Sequence, residues 1–555
     1  MSTWTGQPSI KGSSETARMI LLTCVSIGIT FTWGVEMTYC TPYLLSLGLT
    51  KGQTSMVWIA GPLSGLIVQP IIGVVADESK SKWGRRRPVI AFGSVVVACS
   101  LLALGFTKEI VASFVTDKQS ANTATIIVAV FSLYATDFAI NGVMSCARSL
   151  VVDTLPIQKQ QTGAAWTSRM GSLGHIIGYA MGAIDLIQVF GPRLGDTQFK
   201  QLTVIAAMGM LLTAAVTCWA VTERVLISAR HDPRRAQGRF KVVRQIWSTL
   251  LALPPRIRGI CFSVFWAWIG WFPFLVYSST WVGEMYFRYD MVEDVRETKD
   301  ALGDIGRIGS TALTMYSTVT FISAWVMPAL IRAPEDETFT HRPPASIARW
   351  VETLNKLRPD LLTAWIISHL VFACAMFLTP FAASLRFATI IVAFCGIPWS
   401  LAQWAPTTFL GVEVNKLSGV SGPNPDGRNG SASYRRLSHG SNIEMHDTLR
   451  LDHGTLRLDH GDAETGPISS STGELSGVYF GIMNIFTTLP QFIATFMSTI
   501  VFSILEPGKS PELATEAHPS EHSDTRGPNA IAVCMFIGAI SSVAAAFVTS
   551  KLRHL

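Results

Sequence analysis

A chain of 555 residues that is 49% hydrophobic and only 15% charged, with a mean hydropathy of +0.35, is too apolar for an ordinary soluble protein and reads as a polytopic membrane protein. The net charge of +6 does not imply a nucleic-acid partner, because membrane proteins gather Lys and Arg in cytoplasmic loops for topological reasons. Nine cysteines, scattered mostly within apolar stretches and without metal-ligand spacing, read as small core residues and not as a metal site or disulfide framework. With no paired-carboxylate metal motif and no large catalytic domain in the sequence, a polytopic membrane enzyme is disfavoured.

The N-terminus is polar and carries no cleavable signal pattern, so the first apolar segment is expected to remain as a true span. Apolar segments fall at about 19–40, 55–75, 88–106, 125–147, 168–190, 202–221, 259–279, 310–331, 361–382, 387–411, 477–504 and 529–550, which predicts about twelve transmembrane helices. Between the sixth and seventh, ERVLISARHDPRRAQGRFKVVRQ is basic enough to fix that loop in the cytoplasm. The expected organisation is a tail over 1–18, a six-helix bundle over 19–221, a basic central loop over 222–258, a second bundle over 259–550 and a short end over 551–555. Both termini are then cytoplasmic, which suits Lys11 and Arg18 before the first span and Lys551 and Arg553 after the last. Six spans, a basic loop and six more is the layout of a major facilitator, whose substrate site lies between two helical bundles near the midplane.

In the first span Glu36 is a costly charge. The stripe Thr32, Trp33, Glu36 and Tyr39 joins an acid to aromatic and hydroxyl groups and suits a hydroxyl-rich ligand, although Trp and Tyr also form plain interfacial belts. Between the second and third spans, Gly73-x-x-x-Asp77 is followed by Trp83-Gly84-Arg85-Arg86-Arg87-Pro88. This short turn sets an acid at one helix end and three guanidinium groups at the next helix start. Such a cluster suits charge pairs that differ between inward- and outward-open states, and equally a positive-inside anchor with proline in the first helical turn.

The fourth span holds the main candidate. Asp137 sits near the middle of a run from about Thr125 to Arg148, hence near the bilayer midplane. A charge there is kept when it faces a polar cavity, finds a partner or takes up a proton. Asp137, Asn141, Met144 and Arg148 share one helical stripe. At roughly 16 Å from Asp137, three turns away, Arg148 cannot pair with it directly. Arg148 also lies at a helix end, where arginine can snorkel.

Gly171, Gly174, Gly178 and Gly182 in the fifth span form a packing stripe that implies no ligand. Arg169, His175 and Asp185 accompany it. The seventh span is densely aromatic (FSVFWAWIGWFPFLVYSSTW), and Arg307 at the outer edge of the eighth either guards the cavity or snorkels. From 416 to 474 the composition turns to Ser, Gly, Asp and His, with TLRLDHG twice in succession, which predicts a disordered cytoplasmic loop. Within it Arg435-Arg436-Leu437-Ser438 would suit a regulatory kinase.

Several motifs together resemble the sucrose and α-glucoside:proton symporter family of major facilitators. The stretches are TPYLLSLGL with WIAGPLSGLIVQPIIGVVAD, then WGRRRP, then Asp137 through Arg148 to Asp153, then FWAWIGWFPFLVYSSTW, then GVYFGIMNIFTTLPQF. The resemblance implies proton-coupled uptake of a glucoside disaccharide, with no cofactor beyond the coupling proton, in the plasma membrane. Asp137 then matches the family's proton-binding acid and Arg148 a required arginine. Glu36, where plant members carry glutamine, and Asp185 resemble the animal and fungal branch, while Met144 and Ile308 stand where plant carriers commonly have polar residues. Plant substrate preference therefore does not carry over directly, and the resemblance to α-glucoside carriers implies maltose beside sucrose as substrate.

The expected function is a secondary active transporter, not an enzyme, working by alternating access and functional as a monomer, with the lipid bilayer and a disaccharide as partners. Asp137 is the candidate proton-coupling residue. Glu36, Asn141, Arg148, Arg307 and Asp185 are candidate substrate or cavity residues, and Gly73, Asp77, Gly84, Arg85, Arg86 and Arg87 the gating motif. A sugar sensor with a transporter fold, a sodium-coupled carrier and a facilitative glycoside carrier stay open as alternatives.

Overall fold

Apolar runs set the helices, and polar residues at their starts cap them. The structure is a computed structural model that describes residues 3–5, 8–77, 79–156, 159–223, 225–228, 250–290, 300–331, 358–417, 472–511, 513–514, 518, 521–522 and 527–555. Most of the predicted 416–474 loop, with the kinase-like string at Arg435, lies outside the described residues, as does much of the central loop.

In the first half the helices are α1 (Glu15–Thr23), α2 (Val25–Val35), a π turn (Glu36–Cys40), α3 (Thr41–Ser46), α4 (Lys51–Val57), α5 (Ala60–Asp77), α6 (Arg87–Gly105), α7 (Thr107–Ala112), α8 (Lys118–Thr154), α9 (Gln160–Ala183), α10 (Leu186–Phe190) and α11 (Gln198–Ala220). The second half has α12 (Pro255–Met285), α13 (Ala301–Leu330), α14 (Leu361–Phe377), α15 (Leu385–Phe394), α16 (Gly396–Leu417), α17 (Thr472–Leu505) and α18 (Ala530–Lys551). Asp117, Thr197, Asp360 and Asn529 each accept a backbone N–H at the start of α8, α11, α14 and α18.

Among the described residues eight helices are long and apolar enough to cross a bilayer, ten when each sharply bent pair counts as one span. The second and eighth expected spans are helical too, over Ala60–Asp77 and Ala301–Leu330. Several helices outrun their apolar segments. The 37 residues of α8 reach roughly 55 Å, well beyond a bilayer core of about 30 Å, so its polar ends project.

Within the first half α6 packs on α8 and α11, and α2 on α9 and α11; within the second, α12 packs on α18, α17 and α13, and α14 on α18. The all-α fold carries one addition that the sequence did not announce. Thr3–Thr5 pairs antiparallel with Val225–Ser228, and Ser9–Ile10 with Val221–Thr222, so the N-terminal tail is stitched to the chain leaving α11.

The glycine stripe of α9 is a packing device. A Cβ on Gly174 would fall 2.5 Å from the Ile27 carbonyl oxygen and 2.8 Å from Ile27 Cα, backbone atoms that cannot turn aside. On Gly171 the nearest atom would be Thr30 Cγ2 at 3.4 Å. Gly174→Leu is therefore expected to cost about 1–3 kcal/mol or more by overpacking. Size-exclusion profiles and thermal melts in detergent should show loss of the monodisperse species for Gly174→Leu, while Gly171→Ala behaves as wild type.

Candidate functional site

Asp137 lies nineteen residues into α8 and seventeen from its end, at the helix midpoint. It is 3% exposed, and Glu36, the first residue of the π turn, is 2% exposed. The two carboxylates lie within Coulombic reach of each other. Glu36 Oε1 and Asp137 Oδ2 are both buried without a hydrogen-bond partner among the described residues. The sequence offered them as separate candidates 101 residues apart, and the fold brings them together. A π turn is rare, and such turns concentrate where a helix has been re-aimed for function.

Asn141 is also brought to this place, with its amide engaged by its neighbours. Its Nδ2 donates to Ser64 Oγ at 2.8 Å and to the Asp137 carbonyl at 2.9 Å, while its Oδ1 accepts from Gln69 Nε2 at 2.9 Å. These bonds lock α5 to α8 beside Asp137. Arg148 lies further along the same stripe, deep within the protein envelope yet with an exposed side chain, as a group lining an internal space would. Among the described residues it has no ion-pair partner.

Asp185 and Arg307 are placed elsewhere. They form an ion pair with each other, on the face opposite the basic loops, and Arg307 also pairs with Asp304. Asp185 in addition caps α10 through the Gln188 N–H at 3.2 Å. His175 stacks on Tyr179, and Arg169 lies over the rings of Trp166 and Trp325.

The arginine turn that the sequence offers as a gating motif is an anion-binding helix start. Gly84 has φ +112°, a conformation suited to glycine, and turns the chain so that three successive N–H groups point one way. The carboxylate of Glu223 accepts them: Arg85 N at 2.9 Å, Arg86 N at 2.9 Å and Arg87 N at 2.7 Å. The side chains of Arg85 and Arg86 reach Asp153 at the end of α8, at 2.5 and 3.1 Å. Gly73 and Asp77 lie in the last turns of α5; the side chain of Asp77 lies outside the described residues.

Two sets of residues were missed by sequence reasoning. Glu223 was hidden inside a stretch read only for its basic charge. Lys51, Glu284, Arg288 and Glu506 form a buried ion cluster, with Lys51 Nζ at 2.6 Å from Glu284 Oε1 and paired to Glu506 Oε2, and Arg288 at 2.8 Å from Glu506 Oε1. Each sits near the end of an apolar segment, which is a visible signal, but the 455 residues between Lys51 and Glu506 hide their pairing.

The MFS/sugar transport protein family matches residues 22–289. The general α-glucoside permease of Schizosaccharomyces pombe is 28% identical over an alignment covering 98% of this chain and 94% of its own. A sucrose transport protein of Oryza sativa subsp. japonica is 25% identical over 57% of this chain and 62% of its own. Among solved structures, a bacterial homologue of the human lysosomal transporter Spinster, inward-facing and occupied, superposes with a TM-score of 0.54 at 14% identity, covering 98% of both chains. That last likeness speaks for the fold alone. Fold and relatives together define a multi-pass membrane transporter of the major-facilitator type, not an enzyme. The chain is similar to sugar transport proteins, α-glucoside and sucrose permeases among them.

In the Lys51 cluster, burial opposes charge, but the partners prevail. Glu284 and Glu506 hold the Lys51 ammonium above its usual range, and Lys51, the Ala530 N–H and Arg288 hold the Glu506 carboxyl below its own. The contribution of Glu506 is present above its unfolded value of about 4.3 and is lost only as pH falls through the lowered folded value. That of Lys51 is present below about 10.4 and is lost only as pH rises through the raised one. Both charges therefore persist from about pH 5 to 9. Lys51→Met leaves Glu284 and Glu506 facing the Arg288 guanidinium without the ammonium, so its melting-temperature loss in detergent should be larger at pH 8 than at pH 5.5, where a proton on a carboxylate relieves the excess charge.

Proposed function

We propose that this sugar transporter is a proton-coupled symporter that imports α-glucoside disaccharides, maltose and sucrose among them, across the plasma membrane by alternating access. The observation that carries this reading is the buried pair Glu36 and Asp137, two carboxylates within Coulombic reach of each other, each with an oxygen that has no hydrogen-bond partner among the described residues. A single buried charge at the centre of a span costs at least about 2.5–3.5 kcal/mol, and two like charges side by side cannot both be ionised cheaply. A proton on the pair removes that cost. Asp137 is the acid we assign to proton coupling, with Glu36 as its neighbour and sugar contact and Asn141 holding the α5–α8 frame. Similarity to an α-glucoside permease over nearly the whole chain supports the substrate class.

In this cycle a proton from outside neutralises Asp137, sugar binds between the halves, and closure proceeds without burying a bare charge. Release inside frees both, and each ligand strengthens binding of the other by the same coupling free energy.

The test is uptake of labelled maltose and sucrose by yeast lacking its own disaccharide carriers. Wild-type uptake should be concentrative, faster at acid than at neutral external pH, indifferent to sodium and abolished by a protonophore. Asp137→Asn should lower steady-state accumulation by about tenfold or more, the size of a typical coupling free energy, while exchange of sugar across the membrane persists. Normal accumulation by Asp137→Asn would move the proton site to Glu36; sodium-dependent, pH-independent uptake would replace the coupling ion.

A further inference from the structure

The proton pair leaves a second set of buried charges unused. At the face opposite the basic loops, Lys51 at the start of α4 enters a site that, among the described residues, is built by the other half of the molecule. Glu284 comes from the end of α12, Arg288 from the turn after it, and Glu506 from just beyond α17. Asn529 Nδ2 donates to Glu284 Oε2 at 2.6 Å, and the Ala530 N–H to Glu506 Oε1 at 3.1 Å. The side chains of Lys51, Glu284, Glu506 and Arg288 are 7%, 5%, 2% and 10% exposed. Glu284, Glu506 and Arg288 carry a net charge of −1, which Lys51 neutralises only while the halves are together.

On the other inter-half seam, where α9 runs beside α13, the polarity is reversed. The first half supplies the anion, Asp185, and the second the cation, Arg307. Neutral bonds also cross between the halves: Tyr277 Oη donates to Ser55 Oγ at 2.8 Å, Ser55 Oγ to the Thr495 carbonyl at 3.1 Å, and Ser279 Oγ to the Thr38 carbonyl at 3.0 Å.

We propose that these two ion clusters are a paired latch that closes the sugar pathway at the face opposite the basic loops, and that opening there requires Lys51 and Asp185 to leave their partners for water. A buried ion pair is a poor source of stability, since desolvation offsets its attraction, but it is demanding about geometry: a half-separated pair leaves charge buried and unpaired. The latch therefore has two states and few intermediates. The capping box of α4 holds Lys51 in register, with the Gln53 N–H to Thr50 Oγ1 at 3.3 Å and the Thr50 N–H to Gln53 Oε1 at 3.0 Å. Lys51 and Asp185 sit on separate seams, so losing either half-latch biases the same opening. The proposal is independent of which ion drives transport.

A reporter cysteine at Ser55, buried under Tyr277 in the closed state, reads the opening. Labelling by a membrane-impermeant thiol reagent added to intact cells is measured against the parent that keeps Ser55. Lys51→Met should raise the Ser55→Cys labelling rate by about tenfold or more. Asp185→Asn should raise it by a smaller factor, since the Asp185 and Arg307 side chains are 29% and 27% exposed, and Asp185→Glu, which keeps the charge, should leave it near wild type. An unchanged rate in both Lys51→Met and Asp185→Asn, with the proteins at the cell surface, overturns the latch. Should Lys51→Met fail to reach the surface, equal rates for Asp185→Asn and Asp185→Glu overturn it on their own.

Discussion

Charge without a counter-charge is expensive in a medium that cannot solvate it, and the structure meets that cost in three ways. Lys51 and Glu506 are paired, with every partner buried beside them. The Glu223 carboxylate is met by a fan of backbone N–H groups at the start of α6, where the helix dipole also favours an anion. Glu36 and Asp137 have neither solution. Each keeps a buried carboxylate oxygen without a hydrogen bond, next to another acid. The first two arrangements fix one geometry, whereas the third is relieved by a mobile positive charge, which is why we assign it the proton.

On the basic face the argument runs through backbone as much as side chains. Glu223 follows directly on Val221–Thr222, the strand that pairs with Ser9–Ile10 of the N-terminal tail. The Lys11 N–H bonds the Ala220 carbonyl at 2.9 Å, and Lys11 Nζ lies over the Trp219 ring at 4.0 Å. The tail thus steadies the end of α11 from which Glu223 reaches the arginine turn. What the sequence presented as a gating motif of Gly84 and three arginines is, in three dimensions, joined by Glu223, Asp153 and the N-terminal tail. Glu223 gathers the backbone and Asp153 the side chains of Arg85 and Arg86. The tail ribbon holds Glu223 in place.

The architecture was legible because lipid imposes a length and a polarity on each span, and both are written locally. Asp137, Glu36 and the arginine turn stood out for the same reason, as charges where the medium penalises them. The pairings were not legible. Glu36 with Asp137, Lys51 with Glu506 and Asp185 with Arg307 join residues from different spans, and hydropathy carries no record of which helices touch. Glu223 failed differently: its stretch was read for topology, and one acid among many basic residues looked like solvated background. Asn141 was read as a substrate or cavity residue, and only the fold reveals that its amide bonds Ser64, Gln69 and the Asp137 carbonyl. The tail strands are too short for any periodicity to announce them.

The acid pair that we assign to the proton and the latch that we propose are separate assemblies joined by one short segment. Both acids of the pair belong to the first half, so protonation by itself changes no bond between the halves. The π turn Glu36–Cys40 supplies the connection. Glu36 begins it; two residues on, the Thr38 carbonyl receives Ser279 from the second half; and the Tyr39 hydroxyl, at the next position, bonds the Gly182 carbonyl at 2.7 Å, three residues before Asp185. A helix with its hydrogen-bond pattern already displaced can shift register at smaller cost than a regular one. A change of charge on Asp137, felt by Glu36 beside it, therefore has a path of a few residues to the seam where the halves meet, and no long relay through the core is required to let proton and sugar bias the opening of the same proposed gate.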